Sequence, residues 1–115
     1  MISVYGLKNC DTCRKALKWL EAEGVPHKFY DLRKDGVTRD QIAHWVQAVG
    51  TDHLINRRGT TWRSLDEVEK NNVDEAHTTD LIIEHPALIK RPLIEYDGGD
   101  VSVGFSDAVK QALTK

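Results

Sequence analysis

The stretch Met1-Ile2-Ser3-Val4-Tyr5-Gly6-Leu7-Lys8-Asn9-Cys10-Asp11-Thr12-Cys13-Arg14-Lys15-Ala16-Leu17 decides how the rest of the chain is read. Ile2, Val4 and Tyr5 form a short apolar run that Gly6 ends, the pattern of a strand. Cys13, Ala16, Leu17 and Leu20 then recur at helical spacing on one face, with Lys15, Lys18 and Glu21 on the other. Gly24 and Pro26 stop that helix. Cys10 and Cys13, the only cysteines of the chain, therefore stand between a strand and a helix. A thiol at that point meets unpaired backbone N–H groups and the positive end of the helix dipole, which favour thiolate over thiol. Arg14 adds a fixed positive charge one position on.

Outward from this stretch, His27 to Asp31, with Phe29 and Tyr30, reads as a second strand. Two parallel strands joined by a helix form a right-handed βαβ unit. Thr38 and Asp40-Gln41 look like a capping box for a helix carrying Ile42, Trp45, Val46 and Val49 on one side, ended by Gly50. An irregular stretch is expected over Leu54–Arg63, then shorter helices over Leu65–Asn71 and Thr78–Glu84, the last ended near Pro86. Leu93–Tyr96 and Val101–Val103 flank Asp97-Gly98-Gly99-Asp100, a hairpin turn. Ser106 caps a final helix with Ala108, Val109, Ala112 and Leu113. A Cys-x-x-Cys between strand and helix reads as thiol–disulfide chemistry on a thioredoxin-like scaffold. The expectation is a single α/β domain over 1–115 of thioredoxin-like, glutaredoxin-type architecture. It has a mixed four-stranded sheet and a helical insertion at about 36–86.

Composition narrows the function classes. With 115 residues, 40% hydrophobic and 30% charged, the chain can bury an ordinary core without disulfide staples. A net charge of −2 gives no global attraction to nucleic acid, so no direct nucleic-acid role is expected. No run approaches the ~20 apolar residues of a membrane helix, and the first residues read as a strand rather than a secretory signal. A cytoplasmic setting follows as an expectation. There a permanent structural disulfide is disfavoured, which shifts weight toward catalysis, redox sensing or metal binding.

Cys10 is the candidate nucleophile and Cys13, about one turn further in, a shielded partner able to resolve a mixed disulfide. Zinc asks for two close ligand pairs; His44, His53, His77 and His85 offer none at the usual spacing, so no metal is expected. Arg91-Pro92 precedes a strand, and an X–Pro bond takes the cis form cheaply. Pro92, expected near the edge of the sheet, resembles the cis proline of thioredoxin-like folds, which implies that it faces the cysteine loop and aligns a substrate backbone, with Arg91 then aimed at the thiolate. The alternative is a trans proline with Arg91 in water. Arg57, Arg58 and Arg63 flank Gly59-Thr60-Thr61, a loop that would suit a carboxylate such as that of glutathione, or simply solvent. Asn9 is a candidate for shaping the loop and touching substrate.

These residues together resemble the ArsC/Spx/YffB family, which includes glutaredoxin-coupled arsenate reductases, and most of all its YffB-like branch. The resemblance rests on Tyr5 to Ala16, on Leu54-Ile55-Asn56-Arg57-Arg58-Gly59-Thr60-Thr61 and on Leu88-Ile89-Lys90-Arg91-Pro92-Leu93. It implies Cys10 as nucleophile, Arg14 as the helix arginine and Arg91 as an oxyanion ligand. One further anion-binding arginine of the reductases aligns with Asn56, next to Arg57, and another falls near Gly104. The resemblance implies an oxidoreductase with glutathione as co-substrate, or glutaredoxin as partner, and no bound cofactor; it leaves open whether arsenate is the substrate. Cys13 and Val103-Gly104-Phe105 also resemble Spx, implying as an alternative a redox-sensing transcriptional regulator that binds RNA polymerase.

Overall fold

In the computed structural model, which describes residues 1–67, 70 and 75–113, strand β1 (Ile2–Gly6) is followed by helix α1 (Asp11–Ala22) and strand β2 (His27–Asp31). Helices α2 (Arg39–Val49), α3 (Thr51–Leu54), α4 (Thr60–Arg63) and α5 (Glu75–Glu84) come next, then a 3-10 turn at Pro86–Leu88. Strands β3 (Leu93–Glu95) and β4 (Val101–Val103) and helix α6 (Asp107–Leu113) complete the described part. The four strands form one mixed sheet in the order β2-β1-β3-β4. β1 runs parallel to β2 and antiparallel to β3.

Side-chain alternation along β1 and β3 builds two cores, one on each face of the sheet. Tyr5 and Leu93 are opposite one another in the ladder, and both enter a cluster with Leu32, Ile42, Trp45, Leu81 and Leu88. Val4 and Ile94, the next pair, turn to the other face and pack with Ile2, Leu20 and Val109. Helices α2 and α5 thus cover one side, and α1 and α6 the other. Cross-strand pairs that agree on facing leave the register no alternative, since a one-residue slip would expose both sets.

The capping box of α2 is present: Gln41 N–H donates to Thr38 Oγ1 at 3.2 Å, and Thr38 N–H to Gln41 Oε1 at 2.9 Å. Three expectations need correction. The stretch expected to be irregular, Leu54–Arg63, holds the last residue of α3 and all of α4, single turns too short to show a hydrophobic period. Between them Ile55 bridges to Ile89, which ties this region to the segment leading into Arg91. Second, Pro92 is not near a sheet edge: β3 is an inner strand between β1 and β4. The proline is tolerated because it precedes the first ladder residue, Leu93, and its carbonyl accepts the Gly104 N–H at 2.9 Å. Third, α5 starts at Glu75 rather than Thr78. The helix expected over Leu65–Asn71 lies partly outside the described residues.

Gly6 ends β1 beneath the cysteine loop, and its backbone is in close contact with Cys13. A Cβ built there would stand 2.5 Å from Cys13 Sγ and 3.4 Å from Cys13 Cβ. Gly6→Ala is expected to destabilise the fold by about 1–3 kcal/mol through overpacking, read from the urea midpoint. Adding Cys13→Ala removes the nearer atom and should recover most of that loss.

Candidate active site

Cys10 is the N-cap of α1, with φ −90° and ψ 119°, so the chain enters the helix at the sulfur-bearing residue. Its N–H donates to the Leu7 carbonyl at 3.2 Å, closing the loop, and its carbonyl accepts the Arg14 N–H at 3.0 Å, the first bond of the helix. An N-cap side chain is normally an oxygen acceptor for the first free amides. Here sulfur takes that place; it accepts no capping hydrogen bond, but the backbone amides of Cys13 and Thr12 favour its charged form.

The two thiols are in opposite electrostatic situations. Partial burial pushes the Cys10 pKa up, but this is outweighed by the Cys13 amide, the Cys13 thiol, the Arg91 charge and the Thr12 amide, so the net shift is downward. Cys13 is 1% exposed, and burial drives its thiol up to about 12. The Leu7 amide opposes that rise, while hydrogen bonding to Cys10 and the charge of Cys10 reinforce it. The pair thus presents one accessible thiolate, with a buried protonated thiol directed at it. Both cysteines are reduced.

Arg91 reaches this site because of the sheet register. Tyr5 pairs with Leu93, so the residues just before Leu93 run beside those just after Tyr5, which form the cysteine loop. Arg91 is half-buried, its Nη1 donates to the Ala87 carbonyl at 3.2 Å, and the Arg91–Pro92 peptide bond is cis. Arg14 is placed differently: its Nε donates to the Lys8 carbonyl at 3.0 Å, bracing the loop from the helix side. Asn9 is exposed in the turn immediately before Cys10. Asn56 is joined to the Arg91 segment through its N–H to the Leu88 carbonyl at 2.7 Å, and its Oδ1 accepts the Arg58 N–H at 3.2 Å. Arg57 is occupied: Nη2 is 2.7 Å from Asp52 Oδ1, and the guanidinium lies 5.4 Å from the centroid of the Trp62 ring. Among the described residues no group of three His, Cys, Asp or Glu side chains is arranged to hold a metal.

Sequence reasoning missed three contributors: the Leu7 amide aimed at Cys13, the contact of Gly6 with Cys13, and the Ala87 carbonyl that anchors Arg91. Only Gly6 left a trace in the sequence, as the residue that ends the first strand.

The sequence matches the ArsC family over residues 5–113. The chain belongs to the ArsC family. An uncharacterized Haemophilus influenzae protein is 46% identical over 112 residues, covering 97% of each chain. The global transcriptional regulator Spx of Bacillus subtilis is 30% identical over 110 residues, covering 93% of this chain and 82% of the regulator. Among solved structures, a YffB protein superposes with a TM-score of 0.93 at 36% identity over the whole of both chains. An arsenate reductase (ArsC) related protein from Brucella melitensis gives 0.78 at 39% identity, covering 99% of this chain and 94% of the other. The α/β fold of this ArsC-family chain is accordingly thioredoxin-like. No helix among the described residues is long and apolar enough to cross a membrane.

Two measurements check the electrostatics. Alkylation of Cys10 by iodoacetamide should show a pH midpoint below the free-thiol value of about 8.5; Arg91→Gln should move that midpoint upward, and an unchanged curve would remove Arg91 from the site. Cys13 acts on stability with the opposite sign, because its folded pKa is raised. Its contribution is complete below the unfolded thiol value of about 8.5 and is lost as pH climbs toward about 12. The phenol of Tyr5, pushed up chiefly by burial, shares that sign, so the test is a difference. Cys13→Ala should flatten the alkaline decline of the urea midpoint relative to the parent chain.

Proposed function

We propose that this ArsC-family protein is a glutathione-dependent thiol–disulfide oxidoreductase whose nucleophile is Cys10. The observation that supports this reading is the asymmetry of the two sulfurs: an accessible Cys10 with a lowered pKa, and a buried Cys13 with a raised one. In the proposed cycle the Cys10 thiolate attacks the glutathione sulfur of a mixed disulfide R–S–S–G. The S–S bond breaks, Cys10–S–S–G forms, and the thiolate RS⁻ leaves and takes a proton from water. The thiolate of a second glutathione then attacks the glutathione sulfur on Cys10, releasing oxidised glutathione and restoring the Cys10 thiolate. The net exchange is R–S–S–G plus glutathione giving RSH plus oxidised glutathione: the R sulfur is reduced from disulfide to thiol, the incoming glutathione sulfur is oxidised from thiol to disulfide, and the chain itself returns unchanged. Glutaredoxin can replace the second glutathione as the resolving thiol.

In this reading Arg91 stabilises the Cys10 thiolate before and after attack, with Pro92 aligning the substrate backbone and the exposed Asn9 meeting the substrate beside Cys10. Arg14 keeps the loop in shape through Lys8. A mixed disulfide suits the site better than arsenate does. A tetrahedral oxyanion needs several cations around it, whereas Asn56 is neutral and Arg57 is held by Asp52 and Trp62. The cytoplasm, where glutathione keeps thiols reduced, is the setting proposed for it.

A second reading has its own support. Cys13 lies one helical turn from Cys10 and its thiol lowers the Cys10 pKa, a pair that an oxidant can join as an intramolecular disulfide, and the chain is similar to the transcriptional regulator Spx. It would then be a redox-sensing regulator with RNA polymerase as partner.

An assay that offers arsenate and a glutathione mixed disulfide side by side, with glutathione as reductant, tests the proposal. Turnover of the mixed disulfide is expected, with at least a hundredfold loss in Cys10→Ser and substantial activity kept in Cys13→Ser, on the ordinary scale of losing an activated nucleophile. No turnover, together with capture of RNA polymerase that disappears on Cys10→Ser, would replace the enzyme reading by the regulatory one.

A further inference from the structure

A cavity of about 390 Å³ opens directly beside the nucleophile's loop, lined by Leu7, Lys8, Asn9, Asp31, Arg33 and Lys34. Its wall ends at Asn9, the residue before Cys10, on the β2 side of β1. Two chain segments build it: the turn leaving β1, and the turn leaving β2, which the parallel pairing of Gly6 with Asp31 sets side by side.

The charge in this cavity is arranged rather than incidental. Asp31 Oδ1 accepts the N–H groups of Arg33 at 2.9 Å and Lys34 at 3.0 Å, so its carboxylate is committed to the backbone of its own turn. The Asp31 N–H in turn donates to Asp35 Oδ2 at 2.8 Å. These bonds fix the turn and leave its two cationic side chains outside it. Lys8, Arg33 and Lys34 are exposed, and among the described residues none of the three lies within ion-pair distance of a carboxylate. The loop bearing Lys8 is itself braced by Arg14. A second cavity, of about 300 Å³, is lined by Asp52, Asn56, Arg57, Arg58 and Lys90; it is farther along the chain from Cys10, and its Arg57 is already paired with Asp52.

We infer that the cavity formed by Lys8, Arg33 and Lys34 seats a carboxylate of the thiol peptide that Cys10 carries, and that it selects mixed disulfides of carboxylate-bearing thiols over those of neutral or cationic ones. The inference rests on the reductase reading above and adds to it the residues that recognise the glutathione half. Three cations around one committed carboxylate attract a carboxylate in encounter and hold it once bound. The attraction is exposed to solvent and so weakens with salt.

Two experiments separate this seat from the reductase reading. S-methylglutathione cannot react with Cys10 but keeps both carboxylates, and it is titrated into the protein while amide resonances are followed by NMR. Shifts centred on residues 7–9 and 31–34 are expected, with affinity reduced about tenfold in the Lys8→Glu/Arg33→Glu variant, on the scale of two exposed charge contacts reversed. In turnover, the ratio of kcat/KM for a glutathione mixed disulfide to that for a cysteamine mixed disulfide should fall about tenfold in the same variant. That ratio cancels any change in the nucleophile, which both substrates share. Absence of S-methylglutathione binding, shifts elsewhere, or an unchanged ratio would overturn the seat. Binding at these residues without turnover of either mixed disulfide would uphold the seat and sink the reductase reading.

Discussion

The site depends on a sulfur occupying the cap of a helix. Placing Cys10 where a serine or aspartate usually stands turns an ordinary structural need, the satisfaction of free amides in the first turn, into a bias on a thiol. The amides of Thr12 and Cys13 lower the pKa of the group that stands there. Because that group is a thiol, the requirement is met best when it is charged. No separate base is needed, and the cost of the arrangement is shared with the twelve-residue helix that the fold requires anyway.

The second constraint is that the partner thiol must stay out of the way. Cys13 is one turn further along the same helix, on its inward face with Ala16 and Leu20. It is pinned against Gly6, where no side chain could fit without displacing the sulfur. Burial holds it protonated, and a protonated Cys13 favours the thiolate of Cys10 rather than competing with it. Arg91 completes the arrangement through the sheet rather than through the loop. Its approach follows from the pairing of β1 with β3, so the active charge depends on a register that the two hydrophobic faces enforce.

Much of this was legible in the order of residues. The strand–cysteine–helix join, the capping box at Thr38, the two-glycine hairpin and the apolar periods of α1 and α2 are local signals, and local signals survive in sequence. What was not legible is tertiary. Arg91 was a candidate from its place before Pro92 and from the resemblance, but the route by which it meets Cys10, the antiparallel partnership of Tyr5 with Leu93, was not legible. Nothing near Arg57 says that Asp52 and Trp62 will occupy it, since that depends on two single-turn helices without a readable period. The inner position of β3, and with it the surroundings of Pro92, is likewise a property of strand order, which composition does not encode. The cavity at Lys8 joins residues separated by a helix and a strand, and so has no contiguous signature.

The asymmetry of the thiols also bears on which sulfur resolves the intermediate in the proposed cycle. Once Cys10 is bound in a mixed disulfide its negative charge is gone, and with it the repulsion that helps hold Cys13 protonated. The larger cause, burial, is untouched by that change. A buried thiol that is still reluctant to ionise must also leave its contact with Gly6 to approach the Cys10 sulfur in line. An external glutathione faces neither barrier, being ionised to a few per cent near neutral pH and free to approach from solvent. Resolution from outside is therefore the faster course while glutathione is abundant. When it is scarce, the internal thiol becomes the only sulfur at hand, and the same chain then accumulates the Cys10–Cys13 disulfide. On this view the enzyme and sensor readings differ in the supply of a co-substrate rather than in the architecture of the site.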